Sequence, residues 1–224
     1  MSIKELYQQQ GYIVLESMIE PAVMKELDKE IDRLIADFPA ICTFEDWQKG
    51  NQRRILHKIS HFIEISPLFS VIASNTNITS LATQLLGGNS FLCTDKINFK
   101  LPGARGFYPH QDMSGTWSSY VDNMINVFVA IDEADDENGC LYVAPGRHRE
   151  GLLGPKMKPM LPEHLVTMDF VPIYQKPGDI LMFDGFLPHK SAPNNSNKPR
   201  RVLLLTFTVD EKLRTEFFSG IILD

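Results

Sequence analysis

From Ser90 onward the chain breaks into short β-prone runs separated by Pro, Gly and Asn: "FLCTDKINFKL", "NMINVFVAID", "GCLYVA", "LVTMDFVPIY", "DILMFD" and "RVLLLTFTV". Runs of this length, each closed by a turn signal, suggest an antiparallel sandwich or barrel. The first third reads differently. Ile3–Gln10 is a short polar helix that Gly11 ends, and "YIVLES" is a brief β-type run. Pro21 opens a longer helix in which Val23, Leu27, Ile31, Leu34 and Ile35 recur near a period of 3.6, so one stripe faces a core. "SPLFSVIASNTNITSLATQLLGG" reads as two more helical pieces, stopped by Gly87 and Gly88.

The expectation is one domain over residues 1–224, with mostly helical support over 1–89, a β core over 90–210 and a tail over 211–224. The formal net charge is −6, so no basic excess points to nucleic acid or an anionic membrane. No run approaches the roughly 18 apolar residues of a membrane span. Cys42, Cys93 and Cys140 are odd in number and lack metal-type spacing, which suggests reduced thiols and a cytoplasmic setting. The acidic run 132–137 reads as a solvated hairpin loop. Oligomeric state is not legible.

The chemistry gathers at "FYPHQDMSG", residues 107–115. Residues i and i+2 of an extended segment share a side, so His110 and Asp112 can share one metal ion. A third ligand has to come from elsewhere. Of His57, His61, His148, His164 and His189, the last is best placed, at a strand-loop junction after "PGDILMFDGFLP". Two histidines and one carboxylate make the facial triad of non-heme Fe(II) oxygenases, with open positions for a chelating 2-oxo acid and O₂. The far carboxylate of such an acid needs a buried cation. Arg200 or Arg201 can supply it, and strand alternation turns only one of them inward. His57 and His61 have helical zinc-pair spacing but no intervening His-Glu motif. Cys140 reads as a small buried residue, and Ser114-Gly115 lacks a nucleophile elbow.

Four ordered segments resemble the phytanoyl-CoA dioxygenase family: "QQGYIVLESMIEPAVMKEL", "KLPGARGFYPHQD", "NGCLYVAPGRH" and "GDILMFDGFLPHKSAPNNSNKPRR". The third carries Arg147 where the family often has Ser. The resemblance implies a double-stranded β-helix with helices packed on one side of the barrel. It also implies an Fe(II)- and 2-oxoglutarate-dependent oxygenase that releases CO₂ and succinate, with ascorbate as a reductant in vitro. His110, Asp112 and His189 resemble the iron ligands. Arg200 resembles the arginine that binds the distal carboxylate of 2-oxoglutarate, and Ser191 a hydroxyl that assists it, which leaves Arg201 outward. "LHKISHF" nominates Lys58 as a further cosubstrate contact. Phe128 stands where some members carry a tryptophan, and Asn126, on the same strand face, could donate to the 1-carboxylate. Halogenating relatives have a small residue at the position of Asp112, so the retained carboxylate implies hydroxylation or a related oxidation.

Tyr108, Gln111, Met113, Trp117, Tyr120 and Phe186 flank the triad and are the expected substrate contacts. The short chain leaves little room for lid insertions, which favours a small polar or amino-acid-like substrate over an acyl-CoA. Rival outcomes are desaturation, epimerisation or cyclisation by the same chemistry, or action on a CoA- or carrier-bound acyl group. A redox-silent cupin-type isomerase and a non-catalytic binding domain are the readings from other classes.

Overall fold

A computed structural model describes residues 1–48, 51–115 and 119–209. The expected tail 211–224 lies outside the described residues. In chain order come α1 (Ile3–Gln10), β1 (Tyr12–Leu15), α2 (Pro21–Asp37), β2 (Cys42–Gln48), β3 (Asn51–Ser60), α3 (Pro67–Ala73) and α4 (Thr76–Leu86). Then follow β4 (Phe91–Lys100), β5 (Phe107–His110), β6 (Ile125–Ala130), β7 (Leu141–Val143), α5 (Pro162–Val166), β8 (Val171–Ile173), β9 (Ile180–Asp184), β10 (His189–Ser191) and β11 (Arg200–Thr208).

The helices begin and end where side-chain chemistry dictates. Ser2 and Glu5 form a reciprocal capping box on α1, and Gly11 closes it at φ +82°, a conformation that costs glycine little. A side chain at Gly11 would also strike His148 Nδ1 at 2.5 Å. Ser66 and Asn75 cap α3 and α4 through their side chains. Helix α2 buries Leu27, Ile31 and Leu34, the stripe that its periodicity marks.

The strands form two sheets, one ordered β1-β9-β6-β11-β4-β3-β2 and one ordered β5-β10-β7-β8, with every strand pair antiparallel. This is the double-stranded β-helix. Period-2 alternation on β11 sends Leu203 and Leu205 toward the helices, where they pack with Leu27, Ile31 and Phe69. Val202 and Leu204 point the other way and pack with Phe128, Leu141, Val143 and Phe183 between the sheets. With both faces covered, β6 and β9 are buried along their whole length. Burial on this scale, at about 25 cal/mol per Å² of apolar area, is what holds the two layers and the helices together.

Two departures from the sequence reading affect the site. Hairpin β2-β3, for which the sequence suggested no element, extends the larger sheet beside β4. "LVTMDFVPIY" is not one strand: Pro162 starts the short helix α5, so only Val171–Ile173 pairs. Arg201 faces outward as expected. It grips Asp132 through two hydrogen bonds of 2.7–2.8 Å and reaches Asp28 of α2 at 2.6 Å, tying helix to sheet. Asp132 is therefore a structural partner, not a member of a freely solvated acidic loop. No helix among the described residues is long and apolar enough to cross a membrane.

Candidate active site

His110 ends β5, and His189 opens β10 directly opposite it in the antiparallel register. Their rings lie 4.2 Å apart, centroid to centroid. Gln111 is extended (φ −118°, ψ 132°), so the chain crosses one more pleat before Asp112 begins a 3₁₀ turn. Asp112 Oδ1 then stands 3.5 Å from His110 Nε2 and 3.7 Å from His189 Nε2. One ligand atom from each residue fits within a 4.8 Å cluster. Each histidine Nδ1 meets a backbone carbonyl, Tyr108 O at 2.7 Å and Leu187 O at 2.9 Å. Those carbonyls accept Nδ1–H and leave both Nε2 lone pairs aimed at a shared point.

Electrostatics prepare the same atoms. Burial alone would raise the Asp112 carboxyl, but the facing His189 and His110 overcome it and hold the acid well below the usual carboxylate range. Burial, then the neighbouring His110, pushes His189 down to about 4, so its imidazole is neutral at physiological pH. On the far side of Asp112, Oδ2 accepts a 2.6 Å hydrogen bond from Asn126 Nδ2, and Asn126 Oδ1 accepts from Thr206 Oγ1 at 2.8 Å. Asn126 thus orients the carboxylate. One N–H of its amide is used on Asp112, which leaves the second for the expected cosubstrate contact.

A cavity of about 660 Å³ opens beside the triad between the sheets. Arg200 lines it, only 7% exposed, and its Nε has no hydrogen-bond partner. Burial pushes that guanidinium down to about 10. Lys100, the register partner of Arg200, is 3% exposed and donates to Ser191 Oγ at 2.7 Å, Ala192 O at 2.6 Å and Gly139 O at 3.0 Å. Burial first, and the charge of Arg200 second, lower it to about 7. Gly139 permits this close packing: a Cβ there would lie 2.3 Å from Ala192 O and 3.0 Å from Lys100 Nζ. Lys58 and Phe128 also line the cavity, Phe128 standing edge-on to Phe183 at 5.0 Å.

Among the described residues, those expected to meet substrate do not line the cavity. Gln111 points away from the ligands on either side of it and is 1% exposed. It donates to Gly151 O and Phe186 O and accepts from Leu153 N, pinning two loops. Met113 packs with Cys93, Val121 and Met124, and Phe186 covers that cluster. Tyr108 is 91% exposed and Tyr120 also faces solvent. Trp117 lies outside the described residues. Instead, β3 and β4 supply Ile55, His57, Lys58, Lys96, Asn98 and Lys100. The signal was present in "KINFK": Lys96, Asn98 and Lys100 alternate with the buried Ile97 and Phe99, so one face of β4 is polar and turned inward. His57 pairs with Glu45 at 3.4 Å across the hairpin rather than forming a zinc pair with His61.

The model of the family described as Phytanoyl-CoA dioxygenase (PhyH) matches residues 7–202. A methylphosphonate hydroxylase of Gimesia maris is 30% identical over 95% of this chain and 83% of its own length. A 2-aminoethylphosphonate dioxygenase of an uncultured bacterium is 31% identical over 69% of this chain and 59% of its own length. Among solved structures, EctD from S. alaskensis with 2-oxoglutarate and 5-hydroxyectoine superposes with a TM-score of 0.79 at 27% identity, covering 93% of this chain and 76% of that one.

Proposed function

The chain belongs to the phytanoyl-CoA dioxygenase family of Fe(II)- and 2-oxoglutarate-dependent enzymes, and on that premise we propose that it hydroxylates an unactivated C–H bond of a small phosphonate. One observation carries the cofactor reading: a His-Asp-His cluster shares a cavity with a buried arginine whose Nε has no partner. His110, Asp112 and His189 would hold Fe(II) through Nε2, Oδ1 and Nε2. Arg200 would take the far carboxylate of 2-oxoglutarate in fork geometry, with Lys100 and Ser191 beside it. Bound there, Fe(II) would supply O₂ chemistry in which 2-oxoglutarate becomes succinate and CO₂, with one oxygen atom passing to succinate and the other to the substrate. The chain's own share is positional. Asn126 fixes Asp112, while Phe128, Val202 and Leu204 keep the inner wall apolar and water out. The carboxylate at position 112 occupies the place a halide would need, which favours hydroxylation.

The substrate class rests on two supports: the relatives named for phosphonates, and a cavity whose size suits a small molecule beside the cosubstrate. The three free cysteines fit a reducing, cytoplasmic setting. With Fe(II), 2-oxoglutarate and ascorbate, small phosphonates such as methylphosphonate and 2-aminoethylphosphonate are expected to drive succinate release and yield a product one oxygen heavier. Succinate released only with CoA thioesters would contradict the substrate class. Turnover that ignores 2-oxoglutarate would contradict the reaction.

Cosubstrate affinity should depend on pH through Lys100. Its ammonium is charged below about 7 in the free enzyme, and an arriving carboxylate favours the charged form. Binding above that pH therefore takes up a proton. The Kd for 2-oxoglutarate is expected to be lowest below about pH 7 and to rise above it by up to roughly tenfold per unit. Anaerobic titrations of the Fe(II) enzyme across that range check this, and Lys100→Met should flatten the profile.

A further inference from the structure

We propose that Lys96 on β4 forms the subsite for the substrate's anionic group, and that the substrate is taken as a dianion. This rests on the oxygenase reading above and assigns residues within it. Among the described residues the cavity is lined by Lys96, Lys100, Arg105 and Arg200 against two carboxylates, Glu45 and Asp112. In a chain of formal net charge −6, that is a positive island. Loading the site does not remove the surplus, because the two charges of Fe(II) and those of doubly ionised 2-oxoglutarate offset each other. A neutral substrate would leave it unanswered.

The cations also fall at two separate poles. Lys100 and Arg200 are register partners at one end of the β4-β11 ladder, whereas Lys96 stands opposite Leu204. Four residues of strand separate the poles by about 13 Å. Lys96 is half-buried and lies two residues along β4 from Thr94, the register partner of Thr206, whose hydroxyl donates to the Asn126 that holds Asp112; that places it beside the triad rather than beside the cosubstrate anchor. Among the described residues no carboxylate pairs with Lys96, and Glu45 is engaged by His57. An oxyanion seated on the Lys96 ammonium would hold an attached carbon near the metal ligands, and a point-charge lysine can meet any of three equivalent oxygens.

The test uses the enzyme loaded anaerobically with Fe(II) and 2-oxoglutarate, with methylphosphonate as probe and the monoanion methanesulfonate as its isostere. Binding is read from the change in the Fe(II)–2-oxoglutarate charge-transfer absorption. The wild type should bind methylphosphonate more tightly than methanesulfonate. Lys96→Gln should weaken methylphosphonate about ten- to a hundredfold while leaving the Kd for 2-oxoglutarate within about twofold of wild type. Lys96→Arg should recover part of the loss. Unchanged methylphosphonate binding in Lys96→Gln would overturn the assignment, as would equal affinity for the two isosteres. Loss of 2-oxoglutarate binding in the Lys96 variant would move that residue to the cosubstrate subsite. A wild type that takes up neither Fe(II) nor 2-oxoglutarate would instead overturn the oxygenase reading itself.

Discussion

Replacing Asp112 with alanine is expected to reduce substrate-dependent succinate release to background and to weaken Fe(II) binding by more than about a hundredfold. Loss of a group that merely orients a ligand costs ten- to a hundredfold in metal affinity, so loss of a ligand should exceed it. The expectation comes from the charge balance of the cluster. Asp112 is its only anion, and Oδ1 faces both imidazoles at 3.5 and 3.7 Å. His189, pushed down to about 4, brings no charge of its own. Two neutral imidazoles hold a divalent ion poorly against water. Asn126→Ala should fall between wild type and Asp112→Ala, because it keeps the ligand but frees Oδ2 from its 2.6 Å bond. Iron content after gel filtration, with circular dichroism as a control for folding, distinguishes the three. An Asp112→Ala enzyme with normal iron content and turnover would refute the ligand assignment.

Arg200→Met is expected to have opposite effects on the empty and the loaded protein. The guanidinium is 7% exposed, its Nε is unpaired, and burial already lowers it to about 10. The cofactor-free fold therefore carries the cost of a poorly compensated buried charge. An apolar side chain of similar length should raise its stability by about 1–3 kcal/mol, read as a higher Tm. The same change removes the counter-charge of the cosubstrate's far carboxylate. The KM for 2-oxoglutarate should rise by about a hundredfold or more. Relative use of 2-oxo acids with apolar tails should increase, since the pocket end would now be apolar. A structural role alone would lower Tm and leave the cosubstrate preference unmoved.

The sequence disclosed those parts of the molecule whose physics is local. Strands β4, β6, β9 and β11 were legible because apolar residues recur along them, and α2 because its stripe repeats. Strand β3, "NQRRILHKIS", was not, because its charged positions break the apolar alternation that marks a strand. Strand β5 is four residues long and exists through its pairing with β10. At the site, His110, Asp112 and His189 announce themselves by residue type and spacing, whereas the choice of Arg200 over Arg201 came from the family resemblance. Gln111 misled because adjacency in sequence was taken as adjacency in space, although one residue along an extended chain reverses the face. Asn126 lies on the expected face, but the residue that takes one N–H of its amide comes from a turn 14 positions earlier. Lys100 sits in a motif that was read, yet its function depends on Ser191 and Ala192, brought to it by a different strand.

The two histidines occupy a single rung, His189 opposite His110, while the segment that leaves β10 is a loop. This divides the molecule into a part that can change and a part that cannot. Insertions between 192 and 199 can remodel that loop without altering the spacing of the imidazoles. Deleting one residue inside β10 would shift its pairing by a step and turn His189 to the opposite face. New specificities on this scaffold should therefore be sought by varying loop length and the inward face of β3 and β4, with strand lengths around the rung held constant.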